Sequence, residues 1–424
     1  MNISAHRLGE GKVRSEFERP SQPVDTAAFL FRRLRKAVGS AVSTRMGYFD
    51  HFGVHFPRNN AGDTVLFDAI ETLFDVEYGQ QKWRRSHLRH LVSPMDLARI
   101  NRLARGVLVG GGGLLSSDSN PNSTSGWQWR IGRQELEELQ VPLIVFAIGF
   151  NQFRGSEAFN PIFQEHLEAT VRKSSFFGMR NHGSVDRTRA LLSPEFHDKI
   201  SFQPCMTTVL SEYHPRLRRD LPAIQAGRSV SPRRRLAVNL AFDRAENRFG
   251  PNADLYIDRI CAGLKAASEA GWVLELAVHA WDDEPAIAHL RRRNIPVIVK
   301  RLNLSAPYEV VRYYAGVDAV VGMRGHAQMI PFGCSTPILS LISHDKMRFF
   351  LEDIGHPEWG VEVSDSEVGE RVIGFATDVM ARPEVFQAQI SAAKAPLWVA
   401  TQTNLKTSIL AAMSVRDQVA GSRA

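Results

Sequence analysis

Two blocks of alternating apolar strands and amphipathic helices constrain the fold of this chain more than any other feature. The first block begins near residue 46 and contains the apolar run Leu143–Ile148, which is typical of a strand covered on both faces of a parallel sheet. The second block begins at Leu236 and repeats the alternation. Such alternation produces parallel sheets with right-handed crossovers. The sequence therefore predicts an α/β fold with two Rossmann-like domains facing a cleft, the GT-B-like arrangement.

The periodicity of apolar residues predicts the individual elements of both blocks. The predicted strands are Phe52–Phe56, Val107–Val109, Leu143–Ile148, Phe176–Gly178 and Ile200–Phe202 in the first block, and Leu236–Leu240, Val273–Val278, Val297–Val299, Ala319–Val321 and Ile338–Ile342 in the second. The predicted helices are Thr64–Val76, Ile162–Lys173, Ala253–Ala270, Glu284–Arg293 and Tyr308–Ala315.

These patterns divide the chain into five segments. We predict an N-terminal extension over residues 1–45, a first domain over 46–211, a linker over 212–235, a second domain over 236–365, and C-terminal helices over 366–424 that can cross back onto the first domain. The linker is inferred from several prolines and from the arginine run that ends it. Within the extension, residues 29–38 suit a short basic amphipathic helix that either packs on the body or contacts a membrane surface.

Length and composition exclude several classes of protein. The 424 residues, of which 44% are hydrophobic, supply a large core, yet no apolar run reaches the length of a transmembrane helix. The polar N-terminus does not resemble a signal peptide. Three isolated cysteines argue against a disulfide framework and fit a reducing compartment, so we expect a cytoplasmic protein. The formal charge of +7 favours an anionic partner, and no nucleic-acid-binding signature accompanies it.

The segment 322–346 carries the strongest functional signal. An apolar run is followed by Arg324 and His326 in a glycine-containing turn, and Lys346 follows the next predicted strand. Ligands bind at the carboxyl ends of strands in open α/β sheets. An Arg and a His at that edge predict an anionic substrate and a proton transfer. A lone His in a turn is usually structural, but these cationic and glycine neighbours favour a functional role.

Two further motifs follow predicted strands of the first block. Asp63 is either the N-cap of a helix or a catalytic base at the cleft, and Asn60 is a candidate for contact with a sugar. The run 110–113 consists of glycines, so its backbone can approach an anion, with Gly111 and Gly112 as donor-binding candidates. The alternative is a tight turn between a strand and a helix, and the spacing matches neither a dinucleotide fingerprint nor a P-loop.

Aromatic and charged residues complete the set of candidates. A polar loop ends in Trp127 and Trp129, which either stack on an acceptor sugar or pack the loop onto the body. Arg180 follows a short apolar strand and either binds a carboxylate or phosphate or forms a structural ion pair. The acidic trio 282–284 lies at a predicted helix start, where capping is the favoured interpretation, so we predict no metal site.

Taken in order over about residues 47–355, these motifs resemble the polysaccharide pyruvyl transferases. The matching residues are Asn60, Gly62 and Asp63; Gly111–Leu114; Arg180 and Ser184; Arg324 and His326; Phe332, Gly333 and Pro337; and Asp345 and Lys346. Each motif is weak alone, whereas the ordered set is fairly specific. The chain departs from the family pattern at Asn181, where the family often has Asp, and at Gln203-Pro204-Cys205, where it often has Asp-Pro.

The resemblance implies phosphoenolpyruvate as donor, no cofactor, and formation of a pyruvate ketal on a sugar of an exopolysaccharide, capsule or wall glycan. It also implies a glycan or lipid-linked oligosaccharide acceptor, with peripheral contact at the inner membrane face. Ketal formation requires an acid near the methylene carbon and a base near the sugar hydroxyl. We hypothesise that His326 is the acid or holds the phosphate, and that Asp63 is the base or positions the acceptor. Arg324, Arg180 and Lys346 would bind the donor.

Two other functions remain open at this stage. One is a GT-B glycosyltransferase that uses a nucleotide-sugar donor, although no convincing ribose-binding Glu pair is present. The other is a non-catalytic relative that keeps the fold, which the presence of Arg324 and His326 argues against. The acceptor sugar and the oligomeric state do not follow from the sequence.

Overall fold

Two parallel six-stranded sheets organise the computed structural model, which describes residues 47–54, 60–117, 122–152, 158–231 and 233–409. The strands of the first sheet are β1 (Tyr48–Gly53), β2 (Trp83–His87), β3 (Ala104–Leu115), β4 (Leu143–Phe150), β5 (Phe176–Met179) and β6 (Ile200–Phe202). Those of the second are β7 (Arg235–Asn239), β8 (Val273–Val278), β9 (Ile298–Arg301), β10 (Ala319–Gly322), β11 (Ile338–Ile342) and β12 (Gly360–Glu362). We call each sheet with its helices a lobe.

The strand order of each sheet creates a crevice that can hold a ligand. The first sheet has the order β2-β1-β3-β4-β5-β6, and the second has the order β12-β11-β10-β7-β8-β9. The strand order therefore reverses between β1 and β3 in the first lobe and between β7 and β10 in the second. Ligands of doubly wound sheets bind at the carboxyl ends of strands beside such a reversal.

Helices cover the sheets and connect their strands. Those of the first lobe are α1 (Ala61–Tyr78), α2 (Pro94–Leu103), α3 (Arg133–Glu137), α4 (Ile162–Lys173) and α5 (His182–Arg189). Between the sheets lie α6 (Leu210–Tyr213) and α7 (Pro215–Ser229). The second lobe contributes α8 (Ala245–Phe249), α9 (Ala253–Glu269), α10 (Pro285–Arg292), α11 (Pro307–Gly316), α12 (His326–Gly333), α13 (Asp345–Asp353), α14 (Val368–Ala381) and α15 (Pro383–Asn404).

Apolar side chains from both lobes form one shared core, because α1 packs against elements of the second lobe. Leu66 and Ile70 of α1 belong to the same buried cluster as Tyr314 and Phe332. The backbone N–H of Ala61 also donates to the carbonyl of His279 across the two lobes, at 2.9 Å. The base of the cleft is therefore closed by packing and by a backbone hydrogen bond.

The chain returns to the first lobe at its described end. The amide of Asn404, the last residue of α15, donates to the carbonyl of Phe202 in β6, at 2.9 Å. Tyr78 donates through its hydroxyl to the carbonyl of Leu405, at 2.8 Å. The segment around Leu405 is thus hydrogen-bonded to β6 and to α1 of the first lobe.

Several element boundaries differ from the sequence predictions. The strand expected over Phe52–Phe56 runs over Tyr48–Gly53, and the edge strand Trp83–His87 was not predicted because its sequence is polar. The segment 212–235, which was expected to be an interdomain linker, contains the 15-residue helix α7. The segment 1–45, with its basic helix 29–38, lies outside the described residues. None of the helices in the described ranges has the length and apolar character needed to cross a bilayer.

Candidate active site

A cavity of about 390 Å³ lies between the carboxyl ends of the two sheets and is lined by both lobes. Its charged lining is dominated by cations, which are Arg89, Arg180, Arg244, Arg248, Arg324 and Lys346. The carboxylates in the lining are Asp63, Asp243 and Asp282. This excess of positive charge suits an anionic ligand.

The N-terminus of α1 brings Asp63 to the cavity. The side chain of Asn60 is the N-cap, because its Oδ1 accepts the backbone N–H of Gly62 at 2.9 Å. Asp63 therefore does not cap the helix, contrary to one sequence interpretation. Its carboxylate lines the cavity instead, and 29% of the side chain is accessible.

His326 faces Asp63 from the start of α12. The imidazole Nδ1 lies 4.0 Å from Oδ1 of Asp63, and Nε2 lies 3.8 Å from Sγ of Cys205. Gly62 permits this approach, since a Cβ at that position would lie 2.6 Å from Cβ of His326. The departure from the family pattern at Cys205 thus lies directly beside the imidazole.

The cavity shifts the proton affinities of this pair in opposite directions. Burial raises the pKa of Asp63 to about 6, although Lys346, Arg324 and Arg180 oppose the shift. Burial and the nearby Arg180 hold the pKa of His326 well below its usual value. The imidazole is therefore neutral, while the carboxyl group exchanges its proton near physiological pH.

Arg180 is a buried cation that forms no ion pair with a carboxylate of the described residues, although Asp63 is close enough to influence its pKa. Only 7% of the residue is exposed, and its Nε and Nη2 atoms have no hydrogen-bond partner within the described ranges. Gly149 makes room for the guanidinium, because a Cβ there would lie 2.2 Å from Nε. Burial lowers the pKa of Arg180, against the opposing influence of Cys205 and Asp63. An anion in the cavity would supply the missing partner.

Arg324 is held differently, by two carboxylates of its own lobe. Its Nη2 lies 2.6 Å from Oδ1 of Asp283 and 2.8 Å from Oδ1 of Asp243. Asp243 also accepts hydrogen bonds from Arg248. Burial alone would raise the pKa of Asp243, but Arg324 and Arg248 lower it to about 2. Arg324 is thus fixed in place before any ligand binds.

Lys346 enters the cavity from the N-terminal turn of α13. Its ammonium donates to Oδ1 of Asn151, a first-lobe residue, at 3.0 Å. Burial and the neighbouring Arg180 and Arg248 hold the pKa of Lys346 well below its usual value. A bound anion would favour its charged form.

A family model agrees with this geometry. Residues 60–345 match the model described as polysaccharide pyruvyl transferase, which is more than half of the chain. The chain belongs to the polysaccharide pyruvyl transferase family. The matched span begins at the α1 cap and ends beside Lys346, so it includes both halves of the cavity. No curated protein sequence matches the chain significantly.

Solved structures with a similar backbone are remote in sequence from this pyruvyl transferase family member. A point variant of the wall teichoic acid polymerase TagF aligns with a TM-score of 0.48 and 10% identity over 95% of this chain and 99% of that chain. UDP-GlcNAc 2-epimerase from Neisseria meningitidis bound to UDP-GlcNAc aligns with a TM-score of 0.48 and 12% identity over 85% of this chain and 100% of that chain.

Most of the candidates predicted in this transferase family member come together, but three do not. Trp127 and Trp129 are 0% and 1% exposed and pack within the first-lobe core, so the stacking prediction was wrong for both. The indole N–H of Trp127 donates to His166 at 3.0 Å. Gly111 faces α1, where a Cβ would lie 2.6 Å from Leu66, whereas Gly112 lines the cavity as predicted.

Sequence reasoning did not select several residues that line the cavity. His279, Arg89 and Asn151 belong to this group. His279 follows the carboxyl end of a second-lobe strand, which is the signal that could have identified it. Asp283 does cap its turn, accepting the N–H of His279 at 2.9 Å, and it also binds Arg324. No cluster of three or more His, Cys, Asp or Glu residues suited to a metal occurs in the described part of the chain.

Proposed function

We propose that this protein transfers the pyruvyl group of phosphoenolpyruvate onto two hydroxyls of one sugar in a cell-envelope glycan, forming a pyruvate ketal. The observation that carries the proposal is Arg180, a buried guanidinium that lacks a protein partner within the described residues and lies beside the Asp63–His326 pair. A small donor with a carboxylate and a phosphate matches a pocket in which cations outnumber carboxylates.

The donor would bind between the two lobes. Arg180 from the first lobe would pair with one anionic group of phosphoenolpyruvate. Lys346 and Arg324 from the second lobe would approach the other group, with Gly112 allowing close backbone approach. Binding of this multiply charged anion would raise the pKa of Lys346, so that its ammonium would help to neutralise the donor.

The reaction needs only additions, eliminations and proton transfers. A sugar hydroxyl adds to C2 of the enol while C3 takes a proton. The C2–O bond to phosphate then breaks, a second hydroxyl of the same sugar bonds to C2, and its proton leaves with the released phosphate. Because the pKa of Asp63 is raised and that of His326 is lowered, Asp63 would give the proton to C3 and neutral His326 would take the hydroxyl proton. This order reverses the hypothesis that the sequence suggests, because Asp63 holds a proton more readily than His326.

The acceptor would enter beside Asn60 and Gln128, whose amides line the same cavity. Amide groups and Asp282 at the rim suit sugar hydroxyls. A glycan or lipid-linked oligosaccharide is the proposed acceptor, and a cytoplasmic location with contact at the inner membrane face stays a prediction.

Incubation of the protein with phosphoenolpyruvate and candidate oligosaccharides tests the proposal. We expect phosphate release together with an oligosaccharide whose mass increases by one ketal-linked pyruvate. His326→Ala and Asp63→Asn should each lower phosphate release by at least about a hundredfold. His356→Ala, which lies outside the cavity lining, is the matched control. Transfer from a nucleotide sugar without turnover of phosphoenolpyruvate would replace the proposal with a glycosyltransferase function.

A further inference from the structure

His279, a residue of the cavity lining, has a buried ring nitrogen without a hydrogen-bond partner in the described ranges. The residue follows β8, lines the cavity and is fully buried. Its Nδ1 atom has no hydrogen-bond partner within the described ranges, whereas its Nε2 atom is hydrogen-bonded to the hydroxyl of Tyr314. Buried polar atoms in folded proteins are almost always paired, so an unpaired one beside a cavity indicates a ligand.

Tyr314 determines which ring nitrogen of His279 carries the proton. Tyr314 lies on α11 in the shared core and is fully buried, and Nε2 of His279 is its hydroxyl's only hydrogen-bond partner in the described part of the chain. If Nε2 carried the proton, the phenolic O–H would be left without an acceptor. Donation from Tyr314 to Nε2 avoids that loss and places the ring proton on Nδ1.

The surroundings of His279 keep the ring neutral and fixed. Burial, with a smaller contribution from Arg324, lowers the pKa of His279 to about 3. The backbone is held at both polar atoms, because its N–H donates to Asp283 and its carbonyl accepts from Ala61 of the other lobe. His326 is the other titratable ring near it, and it is also neutral.

We propose that His279 binds an anionic oxygen of the donor phosphate through Nδ1–H, as a neutral hydrogen-bond donor positioned by Tyr314. The role is distinct from that of the arginines, because a neutral N–H favours an oxyanion without adding charge to an already cationic cavity. The choice of phosphate as the anion depends on the proposed function, whereas the tautomer and the unpaired Nδ1–H do not.

Two measurements with inorganic phosphate as the probe test this inference. In the ¹⁵N NMR spectrum of histidine-labelled protein, we expect the His279 ring to show the Nδ1–H tautomer and its Nδ1 signal to move on addition of phosphate. The signal is assigned by its loss in His279→Gln. Observation of the Nε2–H tautomer in the wild-type protein would overturn the proposal.

A pair of substitutions separates the two ring positions. The amide nitrogen of Asn can replace Nδ1, whereas that of Gln reaches toward Nε2. We therefore expect His279→Asn to keep most of the phosphate affinity and His279→Gln to lose about tenfold or more, measured by calorimetry. Equal phosphate affinity for the two variants and the wild type would refute the role. Thermal unfolding confirms that both variants fold, and the wild-type tautomer decides the matter if either does not.

Tyr314→Phe tests the positioning role, and the outcome is distinguishable from failure of the proposed function. Loss of the hydroxyl should yield a mixture of tautomers and weaken phosphate binding by a few fold. An unchanged tautomer would show that Tyr314 does not position the His279 ring proton.

If phosphoenolpyruvate is not turned over but phosphate binding depends on His279, only the proposed function fails. If turnover is normal and phosphate affinity is independent of His279, only this inference fails.

Discussion

The two lobes contribute arginines to the same cavity but hold them in opposite electrostatic settings. In the second lobe, Arg324 lies within 2.8 Å of carboxylate oxygens of both Asp243 and Asp283. In the first lobe, Arg180 is buried but forms no ion pair with a carboxylate of the described residues, and Asp63 acts on it only from a longer distance. Both arginines follow strand ends. Their position in the fold alone therefore does not show which arginine is already ion-paired within the protein and which is available to pair with a ligand.

The energetic consequences of these two settings differ. A buried charge without a partner is costly to keep, and the cost is recovered only when a ligand supplies the opposite charge. Arg180 therefore serves ligand binding and lowers the stability of the folded protein. Arg324 is already ion-paired with Asp243 and Asp283, and its Nε donates to Asp283, although its Nη2 atom makes no well-aligned hydrogen bond in the described ranges. Its removal would therefore harm the folded state as well as the site.

The largest expected effect is on stability, from Arg324→Met. This change leaves the buried carboxylate of Asp283 without its cation, and we expect a loss of about 3–5 kcal/mol in the free energy of unfolding. Denaturant unfolding measures it. The double variant Arg324→Met/Asp283→Asn should recover part of the loss, and a double variant no more stable than the single one would contradict the assigned pairing.

The next effect is on activity, from Arg180→Met. We expect phosphoenolpyruvate turnover to fall by about a hundred- to a thousandfold, because the anion loses its buried partner. The melting temperature should rise, since the variant removes an unpaired buried charge. Arg133→Met, at an exposed first-lobe position, is the control for both measurements. A lower melting temperature would show that Arg180 is a structural residue instead.

The contrast also shows what sequence can and cannot predict. Buried parallel strands such as Leu143–Phe150 are continuous apolar runs, so the sheets and the strand ends could be read from sequence. The Trp127 prediction was wrong because a polar loop sequence does not show whether its aromatic ring packs inward. The partner of His279 lies 35 residues away on another element, and such pairing is invisible without the fold.

The sequence predicted which residue types the two lobes bring to the cavity. It did not predict whether each of them is charged, paired or neutral. Arg180, Arg324 and His326 follow strands, and the edge rule places all three at the cleft. Whether each is charged, paired or neutral depends on burial and neighbours from the other lobe. That information appears only once the lobes share a core.

A third prediction extends the comparison to pH, through Asp63→Asn. The pKa of Asp63 is raised from 3.8 to about 6, so the folded state binds the proton more tightly than the unfolded state. Its stabilising contribution is present below about pH 4 and is lost as the pH rises through 6. We expect Asp63→Asn to match the wild type at pH 4 and to be more stable by about 1–2 kcal/mol at pH 8. Lower stability of the variant at pH 8 would contradict the raised pKa.

The smallest expected effect distinguishes the two polar residues at the start of α1. Asn60 caps the helix, so Asn60→Ala should cost about 1 kcal/mol of unfolding free energy at every pH, whereas Asn60→Asp should cost little. Thermal unfolding at pH 4 and pH 8 measures both. If Asn60→Ala lowers the stability equally at both pH values and Asp63→Asn raises it only at pH 8, then Asn60 supports the helix and Asp63 is available for the reaction. If Asp63→Asn instead lost stability at pH 4 as well, Asp63 would be part of the cap, and its carboxyl group would no longer be free to donate the proton to C3.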